Sequence, residues 1–302
     1  MQLTELNKIF NNDGEKRSFV EECEHRFEKR LSEVCREIIE DGAKIIALSG
    51  PSCSGKTTTA AKLTEALCEN GCEVHLISID NFFRERDTLD REAIMKNGSI
   101  DYDSVNAIDL ELLSERAASI IAGRPTELPI YDFTLGKCTG YERVDPNDHS
   151  VFIFEGIQAI YPEVTALFGD RYKSVYISVE DDLSVNGVYF RARELRLLRR
   201  LIRDYKFRGA APEFTLFLWR SVAANEDTSI LPYADSADIK INSFMAYEAF
   251  LMSGVIPELL LAVPENNAYF PKAYELSKRL SGLPEIPVSM IPGGSLMREF
   301  IG

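Results

Sequence analysis

Residues 50–58 read GPSCSGKTT and satisfy the pattern G-x-x-x-x-G-K-[ST] in full. Glycines at both ends of such a loop let backbone N–H groups turn toward phosphate oxygens, and a following helix adds its dipole. Gly50, Pro51, Ser52, Cys53, Ser54, Gly55, Lys56, Thr57 and Thr58 are therefore the expected phosphate seat for ATP. Lys56 is expected to reach the β- and γ-phosphates and Thr57 to bind Mg²⁺. The motif points to a bound nucleoside triphosphate and leaves open what receives its phosphate.

Other charged residues narrow the chemistry. A base-reading Asn-Lys-x-Asp motif would mark a GTPase, but the Asn7-Lys8 pair runs on into Ile9 and Phe10. A motor would carry an apolar strand ending in Asp-Glu. Here "VFIFEG" ends in one acid, Glu155, which can hold Mg²⁺ directly or through water. Asp80 closes a second apolar run, "LISID". Strand C-termini of a doubly wound sheet open onto the ligand crevice, so Asp80 is placed to take a hydroxyl proton as an acceptor attacks the γ-phosphate. Seven arginines fall within eighteen residues, from Arg191 to Arg208. Arg196, Arg199, Arg200 and Arg203 share one helical face, a row able to clamp a transferring phosphate.

The elements that must position these groups follow from periodicity. Phe19, Cys23, Phe27, Leu31, Val34 and Ile38 make one apolar helical face. Strand, phosphate loop and helix follow, with Gly71 closing that helix and "EVHLISI" forming the next strand. Residues 80–109 read as a long polar loop with one turn of helix. "ELPIYDF" and "YERVDP" read as an antiparallel excursion, "SVFIFEG" and "YKSVYISV" as buried strands, residues 185–209 as one long basic helix, and "ADIKIN" as a last strand. Buried strands alternating with helices predict an α/β fold: a P-loop NTPase-type, doubly wound parallel sheet. The expected division is an N-terminal amphipathic helix (1–42), a kinase domain (43–242) with a helical lid at about 181–212, and a C-terminal helical extension (243–302).

Composition agrees with an ordinary globular chain: 302 residues, 45% apolar and 27% charged. A net charge of −14 argues against broad nucleic-acid binding. No apolar run suits a membrane span and the N-terminus lacks a signal-peptide layout, so a cytoplasmic protein is expected. Six scattered cysteines and three separated histidines (His25, His75, His149) do not suggest zinc, and Cys53 reads as a small filler. Partners are expected to be ATP (or GTP) and a small hydroxyl acceptor, with homo-oligomerisation left open.

In order, the phosphate loop, "SIDNFF", "DYDSVNAIDLELL", "LPIYDF", "FEGIQAI" and "RLIRDYKFRG" resemble the uridine kinase branch of the phosphoribulokinase/uridine kinase family. "ILPYADSADIKINS", "AYEAFLM" and "SLMREFIG" look like the C-terminal half of its long bacterial forms, which commonly carry a TGS-type domain before the kinase. The expectation here is the kinase portion without that domain. The resemblance spans roughly residues 43 to 302 and implies ATP-dependent phosphorylation of a nucleoside, with Mg²⁺. It implies a general base at Asp80, a sugar-hydroxyl ligand at Asp103, a nucleoside-pocket tyrosine at Tyr131 and a metal-site acid at Glu155. Lid arginines fall on Arg200 and Arg203, with Arg208 beside them, and an adenine-side acid falls on Asp238. Two positions depart from the pattern: Gly136 stands for a base-contacting histidine, and Ala210 for an arginine after the Arg-Gly pair. Both bear on acceptor choice.

Overall fold

The computed structural model describes residues 2–7, 10–89 and 100–302. The element order is β1 (Leu3–Leu6), α1 (Asp13–Glu40), β2 (Ile45–Ser49), α2 (Lys56–Glu69), β3 (Glu73–Ser78), α3 (Leu110–Ile121), β4 (Thr126–Asp132), β5 (Lys137–Val144), β6 (Ser150–Glu155) and α4 (Pro162–Thr165). It continues with β7 (Tyr172–Ser178), β8 (Asp182–Val185), β9 (Val188–Phe190), α5 (Ala192–Arg208), α6 (Pro212–Asn225), α7 (Leu231–Ala234), β10 (Ile239–Asn242), α8 (Glu248–Ser253), α9 (Ile256–Leu261), α10 (Phe270–Ser281) and α11 (Arg298–Ile301).

Among the described residues the centre is a five-stranded parallel sheet in the order β10-β7-β2-β6-β3. β2 and β6 are nearly continuous apolar runs because both their faces are covered. Along β2, Ile46 and Leu48 face a core shared by α1, α2, α5 and the C-terminal helices, while Ile45 and Ala47 face a second core beneath α3 and the β4–β5 hairpin. The chain runs from β2 to β3 on one side and reaches β7 and β10 on the other. The loop after β2 therefore lies where strand order reverses, the position at which open α/β sheets hold ligands. The fold is α/β and doubly wound.

The expected apolar face of the first helix is buried at Phe19, Cys23, Phe27, Leu31, Val34 and Ile38. The segment expected as helix from residue 185 begins otherwise. Asn186 and Gly187 both have positive φ (49° and 82°) and turn β8 into β9, and β1 pairs alongside β8 in parallel. Asn-Gly between two apolar positions favours a tight hairpin turn, and that local preference overrides helical periodicity here. The first part of the expected lid is thus strand. α5 itself is a core element, with Leu195, Leu198, Leu201 and Ile202 buried. In the polar segment after β3, short 3₁₀ turns occupy Ile79–Phe82, Arg86–Thr88 and Val105–Ala107. Residues 90–99 of the expected loop lie outside the described residues. No helix among the described residues is long and apolar enough to cross a membrane.

Candidate active site

The phosphate loop joins β2 to α2. A Cβ at Gly50 would lie 2.1 Å from the Ile177 carbonyl oxygen, so β7 approaches too closely for any side chain there. Gly55 takes a left-handed φ of 93° and starts α2 without a capping side chain. Lys56 Nζ donates to the carbonyls of Gly50 (2.8 Å) and Pro51 (3.3 Å) across the loop. Arg196 donates to the Ser52 carbonyl (3.2 Å), Arg199 to that of Cys53 (3.5 Å) and Arg200 to the Ser52 hydroxyl (3.0 Å). Three of the four arginines on the expected helical face thus reach the loop.

The row divides into two functions. Arg199 is fully buried; its guanidinium grips both carboxylate oxygens of Glu248, at 2.7 and 3.0 Å, and the Ser243 carbonyl at 2.8 Å. Arg196 is buried against Glu226. Buried charges need such partners, so these two arginines brace the loop from behind and are not free to clamp a ligand. Arg200, Arg203 and Arg208 instead converge on one buried acid, Asp204, at 3.1, 2.9 and 3.4 Å. Asp204 holds three like charges beside the loop. It was legible in the sequence as the acid within "RLIRDYKFRG", although spacing gives it no role.

The acids gather opposite. Ser78 Oγ caps the turn after β3 by accepting from the Asp80 N–H at 3.3 Å, and buried Ile79 and Phe82 anchor that turn. Asp80, Asp103, Glu155, Lys56, Thr57, Arg203 and Arg208 all line one cavity of ≈ 370 Å³. Burial pushes the Asp80 carboxyl above its ordinary value; Lys56 offsets part of this and Asp103 adds to it. Burial likewise raises Glu155, offset by Lys56 and reinforced by Asp80 and Glu299. The Thr57 hydroxyl and the Glu155 carboxylate, lining one space, are hard oxygen donors, a set that fits Mg²⁺. Glu299, from α11 at the far end of the chain, also lines this cavity, and nothing in the sequence signalled it.

A second cavity, ≈ 390 Å³, adjoins it and is lined by Ser52, Asp103, Arg200 and Asn225 among others. Asn225 Nδ2 donates to the Asp103 carboxylate at 3.1 Å, and the Tyr161 hydroxyl donates to the Asp103 carbonyl at 3.0 Å. Asp103 is thereby fixed at the junction of the two spaces. Phe83, Tyr102 and Phe133 line the first cavity, whereas Tyr131 does not. Tyr131 is buried and its hydroxyl donates to the Arg84 carbonyl at 3.3 Å, so it supports Phe83 and Phe133 edge-on from behind. Tyr131 thus stands directly behind two residues that line the cavity.

Gly136 has a φ of 68°, and a Cβ there would meet Arg86 Cδ at 2.3 Å. Arg86 fills the space beside the departed histidine position and donates to the Phe133 and Thr134 carbonyls and the Tyr102 hydroxyl. Restoring the side chain by Gly136→His is expected to destabilise the protein by about 1–2 kcal/mol through left-handed strain alone, more if Arg86 cannot move. A shifted urea midpoint would check this; wild-type stability would show that Arg86 packs loosely.

Asp238 is held by Ser174. Its carboxylate accepts from the Ser174 N–H (2.8 Å) and hydroxyl (2.7 Å), near the starts of β7 and β10. By register Ser174 lies beside Ala47, midway along β2, and Asp238 lines neither of the two cavities. Ala210, the other departure, follows α5 and donates its N–H to the Asp204 carbonyl at 3.0 Å.

The sequence model described as "Phosphoribulokinase / Uridine kinase family" matches residues 45–248. Uridine-cytidine kinase C of Dictyostelium discoideum is 32% identical over 57% of this chain, which spans 32% of that protein's length. Uridine kinase of Pasteurella multocida is 30% identical over 58% of this chain, and 74% of that protein is covered. A possible uridine kinase from Bacillus stearothermophilus overlays on 70% of this chain and 97% of its own, at 20% identity and a TM-score of 0.47.

Proposed function

Because this chain belongs to the phosphoribulokinase/uridine kinase family, we propose that it transfers the γ-phosphate of ATP to a hydroxyl of a nucleoside, most simply the 5′-hydroxyl of a uridine- or cytidine-type acceptor. The observation that carries this is the meeting of Lys56, Asp80, Asp103 and Glu155 in one cavity at the N-terminus of α2. Loop amides and Lys56 hold the donor phosphates. Asp80 accepts the proton of the attacking hydroxyl, and its raised carboxyl brings it nearer the operating pH of a base. Asp103, held by Asn225, orients the acceptor hydroxyls. Arg200, Arg203 and Arg208 face the transferring group from around Asp204. Thr57 and Glu155 would hold Mg²⁺. When bound, this ion neutralises charge on the donor phosphates.

Arg86 favours a second reading of the acceptor. Its guanidinium is held by carbonyls and a hydroxyl, and no carboxylate salt bridge to it occurs among the described residues. A cation beside the acceptor aromatics suits a phosphorylated or carboxylated acceptor, such as a sugar phosphate or cofactor precursor. A coupled ADP-release screen with Mg-ATP decides between these, using uridine, cytidine, sugar phosphates and pantothenate as acceptors. Uridine or cytidine raising ADP release above an Asp80→Asn blank is the expected result. Release only with an anionic acceptor would overturn the nucleoside reading. Release with none would leave a non-catalytic ATP-binding regulator.

A further inference from the structure

Thr58 is the third residue of α2, and its N–H (3.0 Å) and Oγ1 (2.9 Å) both donate to Oε2 of Glu299. An N–H in the first turn has no intrahelical acceptor, and Gly55 offers no capping side chain. In a phosphate-loop helix these are among the donors that receive the α- and β-phosphate oxygens. Here one of them is already taken by a carboxylate, an anion with the same acceptor chemistry.

The surrounding contacts place that carboxylate firmly. Leu296, Met297, Phe300 and Ile301 are buried, and Leu296 sits so close to Gly55 that a Cβ there would meet its Cδ1 at 2.5 Å. The Phe300 ring lies 5.3 Å from the Arg199 guanidinium carbon. Lys206 Nζ donates to the Ile301 carbonyl at 2.6 Å, and Ser295 Oγ donates to Glu24 Oε1, also at 2.6 Å. The Glu299 residue itself is only half-buried, so its side chain can swing while the tail stays docked. It also adds negative charge to a cavity that already holds Asp80, Asp103 and Glu155 and must accept a polyanion.

We propose that Glu299 is a built-in competitor of the phosphate donor: its carboxylate occupies part of the phosphate seat at Thr58, and nucleotide binds fully only when that carboxylate moves away. The inference rests on the donor-site reading above. Apparent donor affinity is then lowered by the fraction of molecules in which the seat is covered, so the C-terminal tail sets the nucleotide concentration at which the site fills.

Calorimetric titration with Mg-ADP and, separately, with inorganic pyrophosphate tests it on wild type, Glu299→Gln, Glu299→Ala and Lys56→Ala. Both Glu299 variants are expected to bind either probe about 2- to 30-fold tighter than wild type, the range spanned by a carboxylate's attraction to a helix N-terminus. Their ligand-free melting temperatures are expected to fall, because the free helix loses its capping acceptor. A merely structural role would lower stability without tightening binding. Unchanged or weaker binding by folded Glu299 variants, or a gain with Mg-ADP but none with pyrophosphate, would overturn the proposal while leaving the donor site intact. Weak binding confined to Lys56→Ala supports the donor site itself. Absence of binding by wild type and Glu299 variants alike would remove both readings.

Discussion

Asp80→Asn is expected to lower kcat by about 10²- to 10⁴-fold, the range for losing a positioned general base, with Mg-ADP affinity changed far less. The side chain keeps its size and its place after β3, but an amide cannot take the acceptor's proton. The same substitution is expected to raise the melting temperature measured without nucleotide or divalent cation. Burial, with Asp103 adding to it, disfavours the Asp80 carboxylate in the folded state more than Lys56 relieves it. The sign of the pH dependence follows. The folded carboxyl titrates above its ordinary value, so between those two values the native state binds more protons than the unfolded chain. Wild-type stability should therefore recover as pH falls through the folded value, and the advantage of Asp80→Asn should shrink toward the ordinary carboxylate range. Paired kinetics and thermal melts over pH check both halves. A variant with near wild-type kcat would remove Asp80 as the base. A stability advantage that does not change with pH would remove the burial account.

Glu248→Ala is expected to cost about 3–5 kcal/mol of stability, the range for breaking a buried ion pair from one side. Arg199 and Glu248 are both essentially inaccessible to solvent, joined by bonds of 2.7 and 3.0 Å. Removing the acid leaves a guanidinium in the core beside the Ser243 and Cys53 groups, with no carboxylate partner among the described residues. Because Arg199 also supports the Cys53 carbonyl and the Phe300 ring, the loss should loosen the phosphate loop from behind. The double variant Arg199→Met with Glu248→Leu should lose less than Glu248→Ala alone, since no charge is stranded. Denaturant unfolding of the three proteins tests this. A single-variant loss below about 1 kcal/mol, or a double variant worse than the single, would contradict a buried-pair role.

The central layers were legible because they rest on local rules. Apolar runs such as "IIALS" and "VFIFE" need cover on both faces, and the alternation with helices leaves few topologies. The phosphate loop is legible because its residues carry their function through backbone geometry. The arginine face was visible from spacing, but which of its members are free was not. That depends on Glu226, Glu248 and Asp204, and only Asp204 lies on the same helix. The hairpin at Asn186-Gly187 was readable from its dipeptide and was masked by the helical pattern that follows it. The tie of Asp238 to Ser174 was not legible because the two are joined across 64 positions.

The sequence alone determined a doubly wound α/β fold with a phosphate-binding loop, and a family whose members named here are uridine or uridine-cytidine kinases. Short-range patterns suffice for that, since strand burial, helix periodicity and loop glycines act over a few residues. Only the tertiary structure decided that Arg196 and Arg199 are braces, that Arg86 fills the space at Gly136, and that Glu299 sits on Thr58 across 241 positions. The reason is physical: a charged side chain takes its role from whichever opposite charge or free hydrogen-bond donor the fold brings to it, and that partner's distance along the chain is unconstrained.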